Sequence, residues 1–326
     1  MTHAVLCLRP KADFERAGAL PPPSLDVTYR GPADADVPSL MKTAAALLIP
    51  AVGPALPPAL FEETMLELVQ ITGAGLDRLD RPTLQRLGIP VANVPGGSNR
   101  AVAEYAVTSA STLLRRFAWA DAEIKLGHYE AFRARMISDN IGGLDGLLVG
   151  VVGLGTIGLA VADAFRQGGC RICYFDPAPA NPAAAIALGA EPLSLDALLA
   201  ASDVVTLHLP LLPGTRNLIG DREMAMMKPG AVLIHASRGG IVDELALATH
   251  LRSGHLGGAA VDVYSSEPLR PDNALLALDG DAARRLLLTP HIAGVTRQSA
   301  TFLCRSAWRN VERVLSDGEA PLNRAY

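Results

Sequence analysis

The stretch Leu148-Val149-Gly150-Val151-Val152-Gly153-Leu154-Gly155-Thr156-Ile157-Gly158 constrains this 326-residue chain more than any other. An apolar run long enough for a buried strand meets three glycines spaced GxGxxG, and the residues that follow put Ile157, Val161, Ala164 and Phe165 on one helical face. In a strand–turn–helix unit each glycine has its own task. Gly153 permits the tight turn, Gly155 lets backbone approach a pyrophosphate, and Gly158 lets helix pack closely on strand. The phosphates then rest at the helix N-terminus beside Thr156 and Ile157, where unpaired N–H groups and the helix dipole favour anions. Gly168-Gly169 closes the helix, and a second apolar run, 171–175, ends in Asp176. A carboxylate there accepts hydrogen bonds from both ribose hydroxyls and repels a 2′-phosphate. Pro177-Ala178-Pro179 brings no arginine, so the expected cofactor is NAD rather than NADP.

Around this unit the chain is too long for one hydrophobic core, and two domains are expected. Apolar residues make up 49% and charged residues 19%, which supports burial and excludes a disordered chain. A net charge of −4 with no lysine or arginine block supplies no field for DNA or RNA, so no nucleic-acid partner is expected. The N-terminal apolar run, 4–8, is too short for a signal-peptide core. The uncharged stretch 44–61 carries Pro50, Pro54, Pro57 and Pro58, and 146–162 is broken by glycines, so neither reads as a membrane span. A soluble, cytoplasmic protein is expected. Of the four cysteines, Cys170 and Cys173 form a CxxC that runs straight into a strand instead of opening a helix; with Cys7 and Cys304 they read as buried thiols.

Short apolar runs at 4–8, 46–49, 67–71 and 90–93, separated by Pro- and Gly-rich turns and a helical stretch at 58–63, predict a small α/β domain with a parallel sheet. From Ser98 the pattern changes to one long helical run ending near Gly127, capped by Ser98 or Asn99. Six further strands are predicted at 148–152, 171–175, 203–207, 231–234, 258–261 and 286–288, as a doubly wound nucleotide-binding domain requires. A last helix over 297–315 carries an apolar face that includes Trp308 and Val311, and is expected to return to the N-terminal domain. The fold expected is therefore α/β with two doubly wound parallel sheets. A Rossmann cofactor domain spans 99–294, and a smaller flavodoxin-like substrate domain is built from 1–98 and 295–326.

A dinucleotide cofactor implies hydride transfer, which needs groups to hold a substrate, polarise its carbonyl and exchange a proton. Three successive apolar runs end in chemistry of that kind. The first runs through His235 to Arg238-Gly239-Gly240, the second to Asp262 and then Glu267, and the third to Thr289-Pro290-His291. Ligands of such folds bind beyond the carboxyl ends of strands. An arginine there can pair in bidentate fashion with a carboxylate, and a glutamate beside a histidine favours the imidazolium and fixes the tautomer. A lone histidine closing a strand is usually structural; His291 gains weight from Arg238 and Glu267 on neighbouring strand ends. His208 is expected to shape the cofactor loop and His235 to lie in the core, while His128, His250 and His255 suit surface positions.

The chain resembles the NAD-dependent D-isomer-specific 2-hydroxyacid dehydrogenase family. The resemblance rests on GLGTIG with Asp176, on LHLPLLPGTRNLIG (207–220), MKPGAVLIHASRGGIVDE (227–244), VDVYSSEP (261–268) and TPHIAG (289–294), with ITGAGLDRLD (71–80) and NVPGGSNRAVAE (93–104) in the first half. It implies that Arg238 binds the substrate carboxylate and carbonyl, that His291 is the acid/base and that Glu267 hydrogen-bonds His291. Asp262 would lie by the nicotinamide carboxamide, and the backbone amides of Ala74 and Gly75 would cradle the substrate carboxylate. The cofactor set it implies is Gly153, Gly155, Thr156, Ile157, Gly158, Asp176, His208, Pro210, Thr215, Ala236, Arg238, Asp262, His291 and Gly294, with no metal. The activity implied is reduction of a small 2-oxoacid of glyoxylate or hydroxypyruvate type by a homodimer that associates through the cofactor domain. Ile71 stands where phosphoglycerate-specific relatives carry arginine, and Glu267 is the acid that formate-specific relatives lack. The family's PGxN is replaced by Pro95-Gly96-Gly97-Ser98, with the asparagine displaced to Asn99. The competing readings are a dinucleotide-sensing interaction protein on the same fold and an enzyme that oxidises phosphite. The small residues at 51–53 and 72–75 suggest a short, uncharged substrate tail.

Overall fold

The structure is a computed structural model that describes residues 2–179 and 181–326. The chain divides into two compact units, Met1–Ser98 with Val295–Tyr326, and Asn99–Gly294.

The first unit holds a five-stranded sheet of β1 (His3–Cys7), β2 (Leu25–Tyr29), β3 (Ala46–Ile49), β4 (Leu68–Ile71) and β5 (Val91–Ala92), in the order β2-β1-β3-β4-β5. All its pairings are parallel. Strand order reverses between β1 and β3, so the carboxyl ends of those two strands flank the crevice where ligands of open α/β sheets bind. β3 and β4 are buried at every position, as a parallel strand covered on both faces must be. The Arg297–Leu315 helix packs on this unit, with the Trp308 and Phe14 rings tilted at 44° with centroids 4.9 Å apart and the indole N–H donating to Ala19 O at 3.0 Å. Burying a side chain of this size stabilises by about 2–3 kcal/mol or more, which accounts for the return of the chain's last helix. β2 escapes the sequence pattern because Asp26 and Thr28 interrupt its apolar run. The helical stretch expected at 58–63 is a single 3-10 turn, Pro58–Phe61: Glu62 is already extended (ψ 142°) and Glu63 takes φ 56°, which ends the turn.

The second unit carries seven parallel strands. β6 (Leu148–Val152), β7 (Arg171–Phe175), β8 (Glu191–Pro192), β9 (Val204–Leu207), β10 (Val232–His235), β11 (Gly258–Val261) and β12 (Leu286–Leu288) lie in the order β12-β11-β10-β9-β6-β7-β8. This is the doubly wound Rossmann arrangement with one edge strand added, its reversal falling between β6 and β9. β8 is only two residues long, too short to register as a strand in sequence. Val149 and Val151 of β6 pack with Val161 and Phe165 on one face, and Val152 packs with Leu198 and Leu207 on the other. The long helix expected from 98 to 127 is broken: Arg116 adopts a left-handed conformation (φ 53°), leaving helices Asn99–Leu114 and Phe117–Lys125, followed by Tyr129–Ser138. A non-glycine residue at positive φ cannot continue a right-handed helix. All four cysteines are free and buried. Among the described residues no helix is long and apolar enough to cross a membrane.

His235 ends β10 inside the core, with its Nδ1 3.3 Å from Ser237 Oγ. Burial, with the neighbouring His208 adding to it, pushes its titration from 6.5 down to about 3, so the imidazole is neutral in the fold. The unfolded chain takes up this proton near pH 6.5, and the folded chain refuses it until about pH 3. Unfolding therefore binds protons in that window, and stability present above pH 6.5 is lost as the pH falls, at about 1.4 kcal/mol per pH unit. Denaturant melts of His235→Asn and the parent protein are expected to show a shallower acid-side loss of stability in the variant. Parallel pH dependences would contradict this.

Candidate active site

The glycine loop after β6 is built as its sequence requires. Gly153 sits at φ +93°, and a Cβ there would lie 2.6 Å from His208 O; a Cβ on Gly158 would lie 2.0 Å from Gly153 O. Neither position admits a side chain. Gly155 differs: a Cβ on it would meet nothing within 4 Å, so its backbone faces open space. Gly155 is also the N-cap of the Thr156–Gln167 helix and supplies no side-chain cap, which leaves the first-turn amides at Thr156, Ile157 and Gly158 for an anionic ligand. The Asp176 carboxylate is fixed over this loop, with Oδ2 accepting from Leu154 N at 2.7 Å and Oδ1 from Ala178 N at 2.9 Å. Each oxygen keeps a lone pair for a ribose hydroxyl.

His208 follows β9, with Nε2 2.8 Å from Thr206 Oγ1 and Nδ1 buried without a partner. Burial pushes its titration down to about 3 and keeps the ring neutral. Its carbonyl lies against Gly153, so this orphaned nitrogen belongs to the same loop cluster. The Thr215 hydroxyl donates to Pro210 O at 2.7 Å and accepts from Leu212 N at 2.7 Å, which closes the 210–215 turn. Ala236 and Gly294 follow the strand ends of β10 and β12. An uncapped helix start, an open glycine and a fixed carboxylate together fit a dinucleotide.

The Arg, Glu and His expected at strand ends are linked by backbone packing. Arg238 is half-buried beyond β10, and its Nη1 donates to Ser237 O at 2.8 Å. A Cβ on the next residue, Gly239, would lie 1.6 Å from Tyr264 O, so the arginine loop is pressed against the segment that carries Glu267. Glu267 Oε1 accepts from Tyr264 N at 3.1 Å, and Oε2 lies 2.8 Å from His291 Nδ1. The carboxylate thus places the proton on Nδ1, while Nε2 has no partner among the described residues and the side chain stays 24% exposed.

His291 itself sits at φ +56°, a conformation costly for a residue with a Cβ. Asp262 holds it there. Only 1% exposed, Asp262 accepts at Oδ1 from the Thr289 hydroxyl (2.6 Å) and Ile292 N (2.8 Å), and at Oδ2 from Ala293 N (2.8 Å). His291 N in turn donates to Asp262 O at 2.8 Å. Thr289 spends its only proton on Asp262, so the Tyr105 hydroxyl 2.8 Å away donates to Thr289. The Tyr264 hydroxyl reaches Thr289 O at 2.9 Å. The family resemblance implies a place for Asp262 beside the cofactor; the structure makes it the anchor of the histidine turn, with one acceptor position left on Oδ2. Tyr105, Tyr264 and Thr289 escape sequence reasoning as supports. The aromatic in VDVY (261–264) and the threonine in TPH (289–291) are their only signals.

In the other unit, the backbone N–H groups of Ala74 and Gly75 beyond β4 donate to no acceptor among the described residues, and Asn93 Nδ2 donates to Ala74 O at 2.8 Å. Among the described residues no cluster of three or more His, Cys, Asp or Glu side chains could hold a metal.

Residues 107–293 match the family described as D-isomer specific 2-hydroxyacid dehydrogenase, NAD binding domain. The chain is 36% identical over 234 residues to a D-3-phosphoglycerate dehydrogenase of Archaeoglobus fulgidus, a match covering 72% of this chain but only 42% of that protein's length. It is 35% identical over 260 residues to a glyoxylate reductase of Aeropyrum pernix, covering 79% of this chain and 76% of the relative. A crystal structure of a Thermus thermophilus protein superposes with a TM-score of 0.83 at 30% identity, covering 99% of this chain and 100% of that one.

Asp262→Ala leaves the Thr289 hydroxyl and the Ile292 and Ala293 amides without their acceptor. Leaving buried donors unpaired costs about 3 kcal/mol or more in sum. The expected outcome is a lower Tm and faster amide exchange at Ile292 and Ala293. Unchanged protection at those two amides would remove Asp262 from this role.

Proposed function

Because this chain belongs to the D-isomer specific 2-hydroxyacid dehydrogenase family, we propose that it interconverts a small 2-oxoacid and the corresponding D-2-hydroxyacid, of glyoxylate or hydroxypyruvate type. NAD(H), when bound, supplies or receives the hydride. Gly153, Gly155, Thr156, Ile157 and Gly158 would hold its pyrophosphate, Asp176 its ribose, and Oδ2 of Asp262 its carboxamide. His208, Pro210, Thr215, Ala236 and Gly294 would line the same surface. The observation that carries the proposal is the His291–Glu267 pair at 2.8 Å with Nε2 left open.

During reduction, His291 Nε2 gives its proton to the substrate oxygen, and Glu267 stabilises the imidazolium that must be present beforehand. Arg238 pairs its planar guanidinium with the carboxylate and carbonyl of the substrate and offsets the negative charge that develops on oxygen. Oxidation runs the same proton back to Nε2. The amides of Ala74 and Gly75, which donate to no acceptor among the described residues, are assigned to the substrate carboxylate. The glyoxylate reductase among the relatives supports a short substrate, as do the small residues Ala51, Gly53, Gly73, Ala74 and Gly75.

A homodimer through the cofactor domain is part of this reading. Phe117, Ile124, Leu126, Tyr129 and Ile137 are exposed apolar side chains clustered on the two helices Phe117–Lys125 and Tyr129–Ser138 and the turn between them. These helices are braced by Trp119, which lies under the guanidinium groups of Arg116, Arg135 and Arg284 at 5.3, 4.3 and 5.3 Å. A rigid, apolar surface of this kind is what an interface needs. Sedimentation of the parent protein is expected to give a dimer, and Ile137→Glu a monomer; a monomeric parent would contradict it. The four free, buried cysteines support a reducing, cytoplasmic location.

His291→Ala is expected to lower kcat about 100- to 10,000-fold, the range that general acid–base catalysis contributes, while NADH affinity, read by fluorescence titration, changes little. An equal loss of cofactor binding would count against the assigned role.

A further inference from the structure

The loop after β3, 50–56, reads Pro50-Ala51-Val52-Gly53-Pro54-Ala55-Leu56, and its two prolines have no N–H to offer. Among the described residues no backbone hydrogen bond closes within it. A loop at a ligand-binding strand end must nevertheless hold its carbonyls in place, and one residue from elsewhere does so. Arg78, in the segment beyond β4, donates from Nε to Pro54 O at 2.9 Å and from Nη1 to Pro50 O at 3.0 Å. Its own carbonyl accepts from Leu56 N at 2.9 Å. Three hydrogen bonds from this single residue therefore span the loop from end to end.

Arg78 is 3% exposed and, among the described residues, has no carboxylate partner. Burial pulls its titration below the ordinary arginine value. An arginine kept in the interior on carbonyls alone is present for the geometry of its fork, since a buried charge without a counter-ion costs stability. Gly53 completes the fit: at φ +136° it passes so close that a Cβ would lie 3.2 Å from Arg78 Cζ and Nε. The braced loop touches the 72–75 segment directly, because a Cβ on Gly73 would lie 2.7 Å from that of Ala51. Thr72 ties the two strand ends together, its N–H donating to Ile49 O at 2.9 Å, and Arg9 Nη1 reaches Thr72 Oγ1 at 3.0 Å. The loop thus stands at the β1/β3 switch point, against the amides assigned to the substrate carboxylate.

The structure assigns Arg78 as a positioning residue for substrate selection: its fork to Pro50 O and Pro54 O fixes the 50–54 loop against the 72–75 segment, and that loop sets which group attached to the 2-oxo carbon the enzyme accepts. This rests on the 2-oxoacid reading given above. Arg78 does not touch the reacting atoms, so its removal acts on binding of the substrate tail rather than on the chemical step.

The test compares hydroxypyruvate, which has a tail, with glyoxylate, which has a hydrogen in its place. Arg78→Gln, Arg78→Lys and Gly53→Ala are measured beside the parent enzyme, with Tm and NADH affinity as folding controls. In Arg78→Gln the ratio of kcat/KM for hydroxypyruvate over glyoxylate is expected to change about tenfold or more, through KM, while kcat for glyoxylate stays near that of the parent. Arg78→Lys restores little, because one ammonium does not reproduce the planar fork. Gly53→Ala shifts the same ratio from the loop side. An unchanged ratio in Arg78→Gln, full rescue by lysine, or an equal loss for both acids together with a lower Tm would overturn the assignment. Silence of the parent toward both acids, with NADH bound, would instead overturn the functional reading and this inference with it.

Discussion

The candidate site depends on one buried carboxylate. Asp262 receives three hydrogen bonds from the turn after β12, and its backbone carbonyl takes a fourth from His291 N. That network offsets the left-handed backbone at His291 and aims its ring at Glu267. Without it, the strand end would relax toward an ordinary extended exit, and the Nδ1–Oε2 contact would have no fixed geometry. A charge this deeply buried is tolerated because every donor around it is a fixed backbone amide or a hydroxyl held by a further partner, Tyr105.

The surrounding architecture follows from two parallel sheets. A parallel strand points its carboxyl end to the same edge as all its neighbours, so loops after β6, β9, β10, β11 and β12 share one edge of the second unit. The glycine loop and Asp176 use one side of the strand-order reversal, and His208, Arg238, Glu267 and His291 use the other. Close packing does the final placement: Gly153 against His208 O, and Gly239 against Tyr264 O, leave no room for a Cβ and lock adjacent loops together. In the first unit Arg78 performs by hydrogen bonding what glycine packing performs in the second.

Much of this is legible in the sequence because it is local. The GxGxxG unit, Asp176, and the three strand ends carrying Arg238, Glu267 and His291 are each written in a short segment, and strand periodicity places β3, β6, β7, β11 and β12 at their observed limits. What the sequence hides is non-local. Nothing near Asp262 announces that its acceptors will be filled by residues 27 to 31 positions later. The break at Arg116 is invisible in an otherwise helical pattern, and the groups that surround it, Arg135 and Arg284 over Trp119, meet only in the fold. Arg78 lies inside the ITGAGLDRLD motif, yet its partners, Pro50 and Pro54, are 28 and 24 residues away.

On the proposed reading, a paired histidine and an open dinucleotide loop make this chain an oxidoreductase for small 2-oxoacids. The most direct measurement is steady-state NADH oxidation by the unmodified protein with glyoxylate and hydroxypyruvate, alongside NADH binding by fluorescence. Saturable oxidation dependent on the 2-oxoacid is expected, with the D-2-hydroxyacid formed from hydroxypyruvate. NADH binding with no oxidation for either acid would contradict it.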